Sequence, residues 1–330
     1  MPITQQVTEL PAPPSDSEVD AWRSVLAAAR GLDLPQLPPP TTAEVAGRLR
    51  VPPARGRAVH WATDGGVASL ILFTDGSNEH TAHLDELAVR PDARRRGAGT
   101  ALWQRVREEL LAQGRTSVSA EVDLGGPGEA FARSLGFENL LPMGWYAQDV
   151  PAASAERART GPPALAPGYE LHCWPGLIPD AWARAAAVAH GSMDDAPSGD
   201  LDQRIQTWSA ERLHAAHRLI LARGGAVTTV AAVTPQGEVA AYTELVLPDP
   251  AGERALQYDT VVTPGHRGHG LGRAVKLRML AEAAARHPSL RRIDTSVADE
   301  NTPMLAVNAA LGYRRERAAG YFQLTLRPSS

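Results

Sequence analysis

The chain carries one phrase twice. VRPDARRRGAG begins at Val89 and VTPGHRGHGLG at Val262, and they align without a gap. Val89, Pro91, Arg94, Gly97 and Gly99 match Val262, Pro264, Arg267, Gly270 and Gly272. Downstream, Leu135-Gly136-Phe137 matches Leu311-Gly312-Tyr313, and Gly144-Trp145-Tyr146 matches Gly320-Tyr321-Phe322. Similarity held in one fixed frame means one supersecondary unit used twice. A length of 330 residues suits two domains. The frame places them at 1–150 and 168–330, joined by a Pro/Ala-rich linker at 151–167.

Hydrophobic spacing and turn residues give each half the same order of elements. The first half reads as helices at 17–30 and 42–49, then strands at 57–63, 67–73 and 83–89. A helix at 97–113 follows, carried by Leu102, Val106 and Leu110 at helical spacing, then a strand at 117–122, a short helix at 128–135 and a strand at 143–150. The second half reads as a strand at 169–174, helices at 179–190 and 201–217, and strands at 219–222, 226–234, 238–247 and 255–263. It ends with a helix at 270–286, a strand at 292–297, a helix at 302–311 and a strand at 319–326. The expected class is α/β (α+β), each half a mixed sheet flanked by helices.

Composition excludes several functions. Hydrophobic residues make up 43%, enough for real cores, and a formal net charge of −4 gives no sign of a nucleic-acid binder. Cys173 is the one cysteine, so no intramolecular disulfide forms, and it reads as a packed apolar side chain. The N-terminus has no basic start with an apolar run, and no apolar stretch reaches the roughly 18 residues of a membrane span. The expected location is the cytoplasm, with no membrane partner.

In both copies a strand runs into Pro, then Arg, then Gly-x-Gly, then an amphipathic helix. The first helical turn leaves backbone N–H groups without partners, and these together with the helix dipole attract an anion. Glycine permits close backbone approach, and arginine adds a charged contact. A pyrophosphate is the natural guest. No Gly-Lys-Ser/Thr is present for a nucleoside-triphosphate loop, and the third glycine of a dinucleotide fold is missing.

This arrangement resembles the GNAT superfamily of acyl-CoA-dependent N-acyltransferases, whose signature is Arg/Gln-x-x-Gly-x-Gly/Ala between the fourth strand and the third helix. Arg94-Arg95-Arg96-Gly97-Ala98-Gly99 and Arg267-Gly268-His269-Gly270-Leu271-Gly272 both satisfy it. A second family element, Asn followed by a short helix and Leu-Gly-Phe/Tyr, is complete from Asn301 to Tyr313, whereas the first half has Gly125 at the Asn position. The chain is similar to tandem members from actinomycetes, of the mycothiol-synthase-like or antibiotic-cluster type. The resemblance implies two tandem domains, each with a mixed, mostly antiparallel sheet. It implies acetyl-CoA or another acyl-CoA as co-substrate, no metal, and a small-molecule amine as acceptor, the acyl group being other than amino-acyl.

It also assigns residues. The thioester is expected in a gap opened at Leu87, Ala88 and Val89 in one half and at Thr260, Val261 and Val262 in the other. CoA phosphates are expected on Arg94, Arg95, Arg96, Gly97, Ala98, Gly99 and Thr100, and on His266, Arg267, Gly268, His269, Gly270, Leu271, Gly272 and Arg273, with Asn301 completing the second site. His266 and His269 have no further ligand cluster nearby, so they are read as phosphate-loop residues. The tyrosine that many members use as an acid is replaced by Ala132 and Asn308. Asp259, Asn308 and Tyr321 are the expected catalytic set of the second half, with Glu86 aligned to Asp259. Trp145 is a pocket or core aromatic, and Tyr242 and Glu244 are candidates for the acceptor wall. Transfer is expected in the second half, the first binding acyl-CoA structurally. Two alternatives stay open: a non-catalytic acyl-CoA-binding module, and catalysis in the first half.

Overall fold

The computed structural model describes residues 6–161, 165–192, 197, 199–204 and 207–326. The chain divides into two compact units: unit 1 is Met1–Pro142, Ser198–Arg204 and Ala318–Ser330, and unit 2 is Met143–Pro197 and Ile205–Arg317.

In unit 1, β1 (Thr8–Glu9), α1 (Asp16–Asp33) and α2 (Thr42–Arg50) precede β2 (Gly56–Thr63), β3 (Gly66–Phe73) and β4 (Ala82–Val89). Then come α3 (Ala98–Ala112), β5 (Ser117–Asp123) and α4 (Pro127–Ser134). Both opening helices begin with reciprocal capping boxes, Ser15 with Glu18 and Thr41 with Glu44, so their first-turn donors are satisfied locally. One face of the sheet packs α3 through Leu102, Val106 and Leu110, as their spacing predicts. The other face packs α1 and α2 through Val19, Trp22, Val25, Leu26, Val45 and Leu49 against Val67.

Unit 2 repeats the plan. It holds α5 (Val150–Thr160), β7 (Glu170–Pro175), α6 (Asp180–His190), α7 (Ala210–Ala222), β8 (Ala226–Val233), β9 (Val239–Leu247) and β10 (Arg254–Val262). After these come α8 (Leu271–Arg286), β11 (Arg292–Ala298) and α9 (Thr302–Ala310). Leu271, Val275, Met279 and Leu280 of α8 cover one sheet face, while Ala183, Ala186 and Ala189 of α6 and Leu213 of α7 cover the other. The mixed, mostly antiparallel character is as expected. Within each unit the described strand pairs are antiparallel except β4 with β5 and β10 with β11.

Sequence order departs from this plan at the last strand of each half. In β6 (Glu138–Asp149), residues Met143–Asp149 pair with β11 of unit 2. In β12 (Arg314–Thr325), residues Ala319–Thr325 pair with β5 of unit 1. Each half therefore supplies the closing strand of the other unit. Both strands also start earlier than the sequence predicts, because Gly136 and Gly312 at φ +91° and +83° end the preceding helices and release the chain at once into extended backbone.

The segment at 151–167 reads as a linker, yet α5 spans most of it, with Asp149 Oδ1 accepting from Ala152 N as its cap; 162–164 lie outside the described residues. The strand expected at 219–222 is instead the last turn of α7. That helix starts at Ala210, capped by Ser209, rather than at 201; 205 and 206 of the expected helix lie outside the described residues. The run Leu219-Ile220-Leu221 is too short for its periodicity to separate helix from strand.

Candidate active site

The two glycine loops have the same backbone. A short 3-10 turn, Pro91–Ala93 or Pro264–His266, leads to paired left-handed residues: Arg95 at φ +61° and Gly97 at +89°, and Gly268 at +83° and Gly270 at +72°. Such alternation turns successive N–H groups toward one concave face. Gly97 and Gly270 are the N-caps of α3 and α8, whose first helical bonds are Ala101 N to Gly97 O and Ala274 N to Gly270 O. The N–H groups of Ala98, Gly99 and Thr100, and of Leu271, Gly272 and Arg273, thus lack intrahelical acceptors. A Cβ built at Gly97, Gly268 or Gly270 meets nothing within 4 Å, so this cradle is open to an anion. The second glycine serves packing instead. A Cβ on Gly99 would lie 3.6 Å from Phe131, and one on Gly272 would lie 3.4 Å from Val262.

The signature arginines turn back onto the loop. Arg94 Nε donates to Val89 O at 3.0 Å and Arg267 Nε to Val262 O at 3.3 Å. Arg94 also pairs through both terminal nitrogens with Asp33, at 2.8 and 2.5 Å. Arg94, expected on the CoA phosphates, thus has its guanidinium fork engaged by the end of α1. Arg95, Arg96, Arg267, His269 and Arg273 are exposed. His266 Nδ1 lies 2.8 Å from Tyr169 Oη, and its Nε2 lies 3.5 Å from Glu238. Arg273 lines a groove of about 990 Å³ between α5, α8 and α9, together with Arg157 and Arg314.

The expected gap has a physical basis in both units. Parallel pairing of β4 with β5 is confined to His83–Ser119, and that of β10 with β11 stops at Leu256–Asp294. Leu87–Val89 and Thr260–Val262 lie beyond these points, so their backbone groups on that side have no β5 or β11 partner. A register shift before each stretch, between Ser69 and Leu70 and between Gln257 and Thr260, marks a bulge that breaks the alternation there.

The units differ on the face beneath the paired helices. In unit 2 that face carries Tyr242 and Glu244, whereas register puts Val67 and Ser69 at the equivalent positions of unit 1. Glu244 Oε1 lies 2.7 Å from His217 Nε2 of α7, and Asp259 Oδ2 lies 2.9 Å from His190 Nε2 at the end of α6. Burial holds the Tyr242 hydroxyl well above its usual pKa, and the Asp259 and Glu244 carboxylates push in the same direction. Tyr242 Oη, His190 Nδ1, His217 Nδ1 and Thr229 Oγ1 are buried without a hydrogen-bond partner among the described residues. His190 and His217 escaped sequence reasoning. His190 stands alone in its helix and His217 follows His214 by one turn, and only the fold sets each against a carboxylate on a distant strand.

The expected catalytic set is not brought together. Asp259 stands at the gap of unit 2 with its side chain 36% exposed. Asn308 is 1% exposed, and its Oδ1 accepts from Lys276 Nζ at 2.6 Å. Lys276 lies over the Tyr313 ring at 4.8 Å, and burial lowers its amine to about 7. Asn301 caps α9, accepting from Met304 N. Tyr321 belongs to unit 1, opposite Glu121 of β5, with its ring 6.3 Å from His83. This corrects its grouping with Asp259, and the aligned Trp145, opposite Ser296, takes the corresponding place in unit 2. In unit 1, burial raises the Glu86 carboxyl above its ordinary value, with Arg48 pulling it back down.

Comparison with known proteins agrees with this geometry. Residues 22–137 and 193–313 each match the family described as the Acetyltransferase (GNAT) family. The chain is 29% identical over 260 residues to the mycothiol acetyltransferase of Catenulispora acidiphila, covering 76% of each chain. It is 30% identical over 280 residues to that of Thermomonospora curvata, covering 80% of this chain and 85% of the other. A solved tandem GNAT protein from the clavulanic acid biosynthesis pathway superposes with a TM-score of 0.82 at 29% identity, over 98% of this chain and 100% of that one.

Proposed function

We propose, for a chain that belongs to the acetyltransferase (GNAT) family, that unit 2 transfers an acyl group other than an amino-acyl group from a CoA thioester to a small-molecule amine, and that unit 1 binds acyl-CoA as a structural ligand. The observation that carries this reading is the contrast beneath the paired helices. Unit 2 presents Tyr242, Glu244, His190 and His217 beside the gap, whereas unit 1 fills the same layer with Trp22, Val25, Leu26 and Val67. An amine acceptor needs polar partners, and unit 2 gathers more of them in this layer than unit 1, where Ser69 and Glu86 stand among apolar side chains.

In this reading the α8 nest holds the pyrophosphate, and Arg273, Arg157 and Arg314 supply positive charge in the adjoining groove. The N–H of Val262, on the edge of β10 away from β9, faces the thioester carbonyl and stabilises its oxyanion. Asp259 at the gap draws in the cationic amine. The likeness to mycothiol acetyltransferases supports a polar small-molecule acceptor, and the likeness to the clavulanic acid pathway protein supports a place in secondary metabolism. Native mass spectrometry tests the division of labour: up to two CoA-sized adducts per chain are expected, and saturation at one would mean that one nest is vestigial.

Arg267→Ala is expected to weaken acyl-CoA binding in unit 2 by roughly 10- to 100-fold, the worth of one charge-assisted contact and of the tether on Val262 O. Unchanged affinity by calorimetry would leave the backbone nest to hold the anion alone. A second reading places the chemistry in unit 1, favoured by the buried Glu86 carboxyl, whose raised pKa suits a general base, and by the arrival of Tyr321 beside His83.

A further inference from the structure

Sequence alignment marks Asp259 as the base of unit 2, but its surroundings argue otherwise. Its carboxylate is already engaged by a neighbouring imidazole. Here His190 Nε2 lies 2.9 Å from Asp259 Oδ2. With Nε2–H donating to that oxygen, the neutral imidazole keeps its lone pair on Nδ1. That nitrogen is buried and has no partner among the described residues. The ring is firmly placed: Trp208 stacks on it at 3.8 Å with planes 26° apart, and the Tyr242 ring stands 5.9 Å away. The elements packed around it carry Asp259, Arg254 and Tyr258 on β10, Tyr242 and Glu244 on β9, and Glu211, Arg212, His214, His217 and Arg218 on α7; the Arg212 guanidinium lies over Trp208 at 5.2 Å. A clamped imidazole, one nitrogen fixed by a carboxylate and the other unpaired, is the arrangement of an oriented proton acceptor.

We infer that His190 is the proton acceptor for acyl transfer in unit 2 and that Asp259 is its positioning residue. The inference rests on the reading that unit 2 carries transfer. The amine nitrogen attacks the thioester carbonyl carbon, the C–N bond forms and the C–S bond breaks. The amine proton passes to His190 Nδ1, directly or through one water, and sulfur leaves as the CoA thiolate. The imidazolium then releases its proton to solvent.

Two measurements on the full chain test this. The first is a long-range ¹H–¹⁵N correlation of histidine-labelled protein, which reads the tautomer without any turnover. The expected result is His190 as Nε2–H in the parent and a mixture of tautomers in Asp259→Asn. An Nδ1–H tautomer in the parent would overturn the dyad whatever the kinetics. The second is acetyl-CoA turnover with a panel of primary amines. His190→Gln is expected to lower kcat by about 10²- to 10⁴-fold, to remove the rise in rate that accompanies imidazole deprotonation, and to leave the KM for acetyl-CoA unchanged. A His190→Gln chain that keeps both its rate and its pH dependence would overturn the inference alone. A parent with the Nε2–H tautomer but no turnover would instead overturn the transfer reading, and the duty of His190 with it.

Discussion

Gly270→Val is expected to lower acyl transfer by about 10²-fold or more, whereas Gly97→Val leaves the rate within a few-fold of the parent. Both glycines sit in the left-handed region, at φ +72° and +89°. A β-branched side chain there costs about 1–2 kcal/mol in backbone strain alone. The loop relaxes by turning its N–H groups away from the anion, and an ångström of misplacement at the thioester is worth about 10² in rate. Crowding is not the cause, because a Cβ at either glycine meets no atom within 4 Å. Both variants are therefore expected to fold, and circular dichroism would confirm it. Each should lose one acyl-CoA adduct, but only Gly270→Val should lose product. The mirror result would move the chemistry to unit 1 and make Glu86 the base.

Lys276→Met is expected to change the pH dependence of stability by a few kcal/mol. Lys276 is 4% exposed, and burial lowers its amine from the usual range to about 7. Between pH 7 and about 10.4 the unfolded lysine holds a proton that the folded one gives up. Folding is therefore opposed by the full penalty below pH 7, and the penalty fades as pH rises through that window. The shift corresponds to about 4–5 kcal/mol. The hydrogen bond to Asn308 and the Tyr313 ring favour the ammonium and offset part of it, so about 2–4 kcal/mol is expected. Methionine keeps the length of the side chain without the charge. Its stability relative to the parent should fall by that amount between pH 7 and 10.5 in urea titrations. Parallel curves would mean that Lys276 stays protonated in the folded state.

Much of this was legible in the residues. Gly97 and Gly270 announced left-handed helix starts, and Leu135-Gly136 and Leu311-Gly312 announced helix ends closed by bonds from Phe137 N to Ala132 O and from Tyr313 N to Asn308 O. These signals are local, and local chemistry determines them. The partner of a closing strand is not a local property. Gly144-Trp145-Tyr146 and Gly320-Tyr321-Phe322 are equally good strands beside either β5 or β11, and the exchange carried Tyr321 away from Asp259. Asn308 reads as a member of the catalytic set because nothing in its neighbourhood reveals Lys276, 32 residues earlier, as its partner. The His190–Asp259 contact spans 69 residues and has no periodic signature. Long-range polar pairs of this kind are where the candidate site outran the sequence.

The most direct test is the fate of the thioester. The chain, incubated with acetyl-CoA and a panel of primary amines, should release CoA thiol in step with one acetylated amine seen by mass spectrometry, and the release should vanish with Gly270→Val. Two bound acetyl-CoA molecules that stay intact with every amine would contradict transfer and leave a binding module.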